Sequence, residues 1–108
     1  MRKTTIDIPI YGVKLTIILD DDFSYVEKKY NLEPLKGRAV TITNSNIHRH
    51  IIVAFVDKKY VSSIAHEVVH IKNYICLWCG AELDRENDEY EAYLSGYLFE
   101  QIYEFINK

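Results

Sequence analysis

The stretch IIVAFVDKKYVSSIAHEVVHIKNYICL, residues 51–77, changes its hydrophobic period part-way along and so decides the fold. Residues 51–56 are apolar on both alternating sets, the pattern of a strand buried on both faces beneath helices. From about Lys59 to Leu77 the period becomes helical: Val61, Ile64, Val68, Ile71 and Ile75 fall within about 80° of one another at about 100° per residue. Upstream, residues 38–43 and about 49–56 read as a hairpin around Asn44-Ser45-Asn46. Further back, Ile6, Ile8 and Ile10 alternate with polar or turn residues, and Val13, Leu15, Ile17 and Leu19 alternate again after Tyr11-Gly12. That is a second hairpin with one apolar face, and Pro9 suggests that its first strand lies at a sheet edge. Asp20-Asp21-Asp22 offers a cap and N-terminal negative charge for a short helix through about Tyr30, a commoner use of three acids than a metal site. Residues 33–37 form a loop by composition. Downstream, Gly80 suits the C′ position of the long helix, and a final helix spans about 85–106. The expected fold is α+β. A small, mostly antiparallel sheet of two hairpins is packed by a short helix, the long helix and the C-terminal helix, in one domain over residues 1–108.

Bulk properties narrow the function. A chain of 108 residues buries roughly 65% of its unfolded surface as one domain. With 48% hydrophobic and 27% charged residues it is a folding composition rather than a disordered one. The net charge of −3 leaves no basic footprint for nucleic acid, and the basic pairs Arg2-Lys3, Lys28-Lys29 and Lys58-Lys59 read as solvated surface. No signal peptide or membrane span is read, the longest apolar run being residues 51–56, so a cytoplasmic protein with no membrane partner is expected.

Within the long helix, His66-Glu67-Val68-Val69-His70 spells H-E-x-x-H. Positions i and i+4 of a helix are rotated by about 40° and displaced by about 6 Å, so both imidazoles point the same way and can hold one Zn²⁺. Glu67 beside them is placed to act as general base on a water. With His66 at zero, His70 lies near 40°, Ser63 near 60°, Tyr74 near 80° and Asn73 near −20°, whereas the apolar stripe spans about 140–220°. The histidines therefore occupy a polar strip of their own, with Glu67 near 100° between the strips. Two histidines leave a tetrahedral zinc one protein ligand short. Glu82, Asp84, Glu86, Asp88, Glu89 and Glu91 are the acidic candidates; Glu89 and Glu91 project about 160° apart, so they cannot both serve.

His66-Glu67-x-x-His70 followed by Glu89-Tyr90-Glu91-Ala92-Tyr93 resembles the gluzincin arrangement, in which a glutamate on a second helix completes the site. It is similar to the E-x-x-A pattern of ImmA/IrrE-type metallopeptidases, and residues 87–98 resemble small metallopeptidase-like proteins encoded by phages and mobile elements. The resemblance covers residues 59–103. It implies a minimal zincin-like domain with Glu89 as third ligand, a zinc-dependent peptidase activity on a peptide or protein substrate, and a phage or mobile-element context, virion association included. The zincin likeness also implies that an edge strand receives the extended substrate. Tyr93 departs from the family, which has a small polar residue or a carboxylate there. Its hydroxyl is suited to orient an imidazole or to donate to a developing oxyanion; packing as one of nine tyrosines is the alternative.

Two rival readings remain. His66, His70, Cys76 and Cys79 make a closed tetrahedral zinc set by composition, but on a continuous helix Cys76 is about 9 Å further along than His70 and about 240° round. The second rival is a non-catalytic zincin-like accessory protein that binds a partner. His48 and His50, flanking Arg49, read as exposed turn residues rather than cleft lining, Gly96 as a close-approach position between helices, and Tyr60 as packing.

Overall fold

A computed structural model describes every residue except Tyr60, so the packing expected of that side chain lies outside the described residues. The elements run β1 (Arg2–Ile8), β2 (Val13–Leu19), α1 (Ser24–Lys29), β3 (Ala39–Thr43), β4 (His50–Phe55), α2 (Val61–Cys79) and α3 (Glu89–Ile106). The fold is the α+β arrangement expected. Both hairpins form, with Ile8 opposite Val13 and Thr43 opposite Ile51. They join through β2 and β4, which pair in parallel with Leu15 opposite Ile51 and Leu19 opposite Phe55. The sheet order is β1-β2-β4-β3, so β1 is an edge strand, as Pro9 just beyond its end suggested, and β3 is the other edge.

The central position of β4 explains its two apolar faces: residues 51–55 are all buried. One face carries Leu15, Ile17, Ile51, Val53 and Phe55 beneath α2 and α3. The other carries Ile18, Ile52 and Ala54 against Phe23 and Val26 of the α1 segment. Helix α2 contributes Ile64, Val68, Ile71 and Ile75. At about 1.5–3 kcal/mol per buried aliphatic side chain, those four supply on the order of 6–12 kcal/mol before the entropy of ordering is subtracted. Val61, grouped with them by periodicity, is exposed at the helix's first residue. Helix α2 ends at Gly80 (φ 75°), where Ala81 N–H reaches back to the Cys76 carbonyl at 2.9 Å, as expected of a glycine C′ residue.

Local chemistry departs from the sequence reading in three places. The α1 N-cap residue is Phe23, and Asp22 acts one step earlier: its Oδ1 accepts Ser24 N–H at 2.9 Å, which holds its carboxyl below the usual range. Helix α3 starts at Glu89 rather than near Arg85, because Asp84 organises a turn in which Glu86 N–H bonds its Oδ1 at 3.0 Å and Asn87 N–H its carbonyl at 3.1 Å. Arg2 is not merely solvated. Its guanidinium donates to the Phe105 and Ile106 carbonyls and lies 4.7 Å over the Phe105 ring, closing the C-terminus of α3. No helix among the described residues is long and apolar enough to cross a membrane.

Candidate metal centre

The polar strip of α2 faces away from the sheet, and its two imidazoles converge. His66 Nε2 and His70 Nε2 stand 3.3 Å apart, with the rings edge to face at 5.0 Å between centroids. Tetrahedral ligation with Zn–N bonds of about 2.0–2.1 Å separates two nitrogens by about 3.3–3.4 Å, so the spacing of the pair, here a hydrogen bond between the two rings, matches that of two ligands to one ion. His66 is largely exposed, so its ring is open to approach among the described residues.

Glu67 sits one residue round the helix and is buried, its side chain 6% exposed. Burial of a carboxylate needs a partner, and Thr41 of β3 supplies one: its hydroxyl donates to Glu67 Oε1 at 2.8 Å. The other oxygen, Oε2, lies 3.9 Å from His66 Nε2. Thr41 faces α2 because it alternates with Val40 and Ile42, which pack toward the opposite face with α1. A shallow cavity of about 500 Å³ opens beside this pair, bounded by residues 37–39 on the approach to β3 and by Ser62, Ser63, His66 and Glu67. The edge strand and the H-E-x-x-H motif therefore share one cleft.

The second helix meets α2 elsewhere. Helix α2 runs nine residues past His70 to Cys79, about 14 Å of axial rise, before the chain turns back. Tyr90 of α3 then lies against that far end, its hydroxyl 3.6 Å from Cys79 Sγ. Glu91 faces α2 and pairs with Lys72, Nζ to Oε1 3.0 Å, with both side chains largely buried. Glu89 is on the opposite side of α3, exposed, with no hydrogen bond or ion pair among the described residues. Tyr93 is 76% exposed and lines a separate groove of about 330 Å³ with Ile8, Pro9, Tyr11, Tyr90 and Tyr97. The structure thus gathers His66, His70 and Glu67 and does not bring Glu89 or Tyr93 to them. Among the described residues no three His, Cys, Asp or Glu side chains are placed to hold one metal ion together.

The set His66, His70, Cys76 and Cys79 is not assembled either. Helix α2 is unbroken through Cys79, and Cys76 is buried on the flank facing α3, where burial pushes its thiol up. Burial likewise raises the Tyr90 phenol. Of the two turn histidines, His48 is exposed and 6.5 Å from the Trp78 ring, whereas His50 is half-buried as the first residue of β4, its ring nitrogens 2.7 Å from Thr16 Oγ1 and 3.1 Å from Asn44 Nδ2. Arg49 between them takes a left-handed conformation (φ 56°) and donates to the Tyr11 and Trp78 carbonyls at 2.9 and 3.0 Å, tying the first hairpin turn to the C-terminus of α2.

No family model, curated protein or solved structure matches this chain.

Proposed function

We propose that this protein is a zinc-dependent peptidase, and the observation that carries the reading is the 3.3 Å convergence of the two Nε2 atoms beside a buried, anchored Glu67. His66 and His70 hold the ion. The gluzincin resemblance assigns the third ligand to Glu89, which requires the first turn of α3 to move toward the histidines, and Lys72 removes Glu91 as a competing donor by pairing with it. When bound, zinc supplies a Lewis acid for the scissile carbonyl and a water of lowered pKa. Thr41 occupies Glu67 Oε1, so Oε2 is the oxygen that takes the water's proton and hands it to the leaving amine. The free edge of β3, alongside the same cleft, accepts an extended peptide by strand addition. A protein of the mobile-element class suggested by the resemblance would meet a protein substrate in the cytoplasm of its host.

The test combines metal analysis with cleavage of a proteome-derived peptide library. One zinc per chain is expected for the wild type and for Glu67→Gln, with chelator-sensitive cleavage in the first and none in the second. His66→Ala and His70→Ala should lose the ion, Glu89→Ala should weaken it at least tenfold, and Glu91→Ala should keep it. Wild-type protein that takes up no zinc, or a Glu67→Gln variant that cleaves like wild type, would sink the proposal.

A further inference from the structure

The face of the sheet opposite α2 is only half covered. Toward one end α1 and its following loop pack on Ile18, Ile52 and Ala54. Toward the other, the same face of the two central strands carries Thr16 and His50, with Thr5 of β1 opposite Thr16. A cavity of about 860 Å³ opens there, walled by residues 29–32 and 43–47. Its size falls within the roughly 300–1,000 Å³ typical of small-molecule sites.

The hydrogen bonds on the cavity floor run in one direction. Asn44 Oδ1 accepts Asn46 N–H at 2.9 Å, which turns the Nδ2 donor of Asn44 to His50 Nδ1 at 3.1 Å. Nδ1 is therefore the acceptor, and the imidazole is neutral with its proton on Nε2. Burial, and secondarily Lys14, hold its pKa below the usual value, in agreement. Nε2–H then donates to Thr16 Oγ1 at 2.7 Å. Thr16 is 4% exposed, so its own hydroxyl hydrogen needs a partner, and Thr5 Oγ1 lies 2.8 Å away. The chain ends on the Thr5 hydroxyl, whose hydrogen is left to point outward.

Every step pushes donor character toward the cavity. Around its mouth stand Lys3, whose ammonium is held by the Tyr25 hydroxyl at 3.0 Å, Lys29 and Asn31, and among the described residues no Asp or Glu lines it. A donor-rich recess with two ammonium groups, in a chain of net charge −3, is complementary to an oxyanion. We infer that this recess is a binding site for a small phosphate-bearing ligand, anchored by the Thr5 hydroxyl at the end of the Asn44–His50–Thr16 relay and by Lys29. It lies on the other face of the sheet from the histidine pair and is independent of the peptidase reading.

Titration of ¹⁵N-labelled protein with glycerol 3-phosphate, with glycerol at matched ionic strength as control, tests this. Saturable shifts are expected at Thr5, Asn31, Asn46 and the His50 ring with the phosphate ester and none with glycerol. Thr5→Val and Lys29→Glu should each weaken binding at least fivefold, and the His66→Ala/His70→Ala double variant should bind as wild type does. Lys29 is an exposed helix residue, so its variant remains informative if Thr5→Val fails to fold. The inference is overturned by an absence of saturable shifts, by equal shifts with glycerol, by shifts that disappear in the double histidine variant, or by unweakened binding in Lys29→Glu.

Discussion

Replacing Thr41 by Val removes one hydroxyl from the edge strand and leaves its shape intact, which isolates the bond to Glu67. That bond joins a neutral donor to a carboxylate at 2.8 Å, and the side chain it serves is 6% exposed. Hydrogen bonds to charged groups contribute about 1.5–3 kcal/mol, and a carboxylate this enclosed recovers little of that from water. Unfolding entropy of about 2.1 cal/mol/K per residue gives about 0.23 kcal/mol/K for 108 residues, so the midpoint should fall by about 6–13 °C. A double-mutant cycle supplies the control: in a Glu67→Leu background the same Thr41→Val change should cost less than about 0.5 kcal/mol, because no carboxylate remains to be orphaned. Thr41→Ser should restore most of the loss. Calorimetry of the four proteins of the cycle, with urea midpoints as a second measure, reads the coupling. Equal losses in the two backgrounds would refute the idea that β3 anchors the glutamate. Zinc content should be the same throughout the Thr41 series, since Thr41 bonds neither histidine.

Three further outcomes follow from the geometry. Lys72→Met alone strands Glu91 in a largely buried position and should cost about 3 kcal/mol, whereas Lys72→Met with Glu91→Leu should recover most of it; urea unfolding distinguishes them, and a single change as mild as the double contradicts the pairing. Ile10 is β-branched, 98% exposed and held at φ 79°, so Ile10→Asn should relieve about 1 kcal/mol of left-handed strain and raise the midpoint by about 4 °C; an unchanged midpoint counts against strain at the turn. The depressed pKa of His50 means that the folded state binds fewer protons there than the unfolded chain, so its contribution is complete above the ordinary value of about 6.5 and is lost as pH falls through the lower folded value. The stability advantage of wild type over His50→Gln should accordingly shrink between about pH 8 and about pH 5, measured by urea midpoints; an advantage that grows on acidification reverses the sign.

Most of the secondary structure is legible because it is written in short-range periodicity. Alternation marks β1 and β2, double-sided apolarity marks β4 as central, and the shift to a helical period locates α2 to within two residues at each end. The parallel pairing of β2 with β4 is not local. It depends on 30 intervening residues folding α1 and β3 out of the way, and no residue in either strand announces its partner. The burial of His50, expected as an exposed turn residue, is hidden in part for the same reason: Asn44 meets it within the β3–β4 hairpin, but Thr16 meets it only once that parallel register exists.

The candidate metal centre divides along the same line. The angular separation of His66, Glu67 and His70 belongs to one helix, and the structure reproduces it as an Nε2 pair at ligand spacing. The burial of Glu67 belongs to two elements, and only the alternation that turns Thr41 toward α2, while Val40 and Ile42 face away, hinted at it. The position of Glu89 belongs to three: the length of α2 beyond His70, the turn that follows Gly80, and the rotation of α3 about its own axis. That rotation is set by the buried face of Leu94, Leu98, Ile102 and Ile106, on which Glu91 also lies and meets Lys72, a pair that sequence spacing cannot pick out among six acidic residues between 82 and 91. Glu91 is taken up by Lys72 on that buried face, and Glu89, about 160° round the helix, faces outward. A peptidase built on this chain has its two histidines in place, and its third ligand depends on how the first turn of α3 sits over the helix beside it. Metal affinity in Glu89→Ala, set against Lys72→Met, reads these two contributions apart: the first removes the proposed donor, and the second removes only the ion pair and leaves the apolar face of α3 in place.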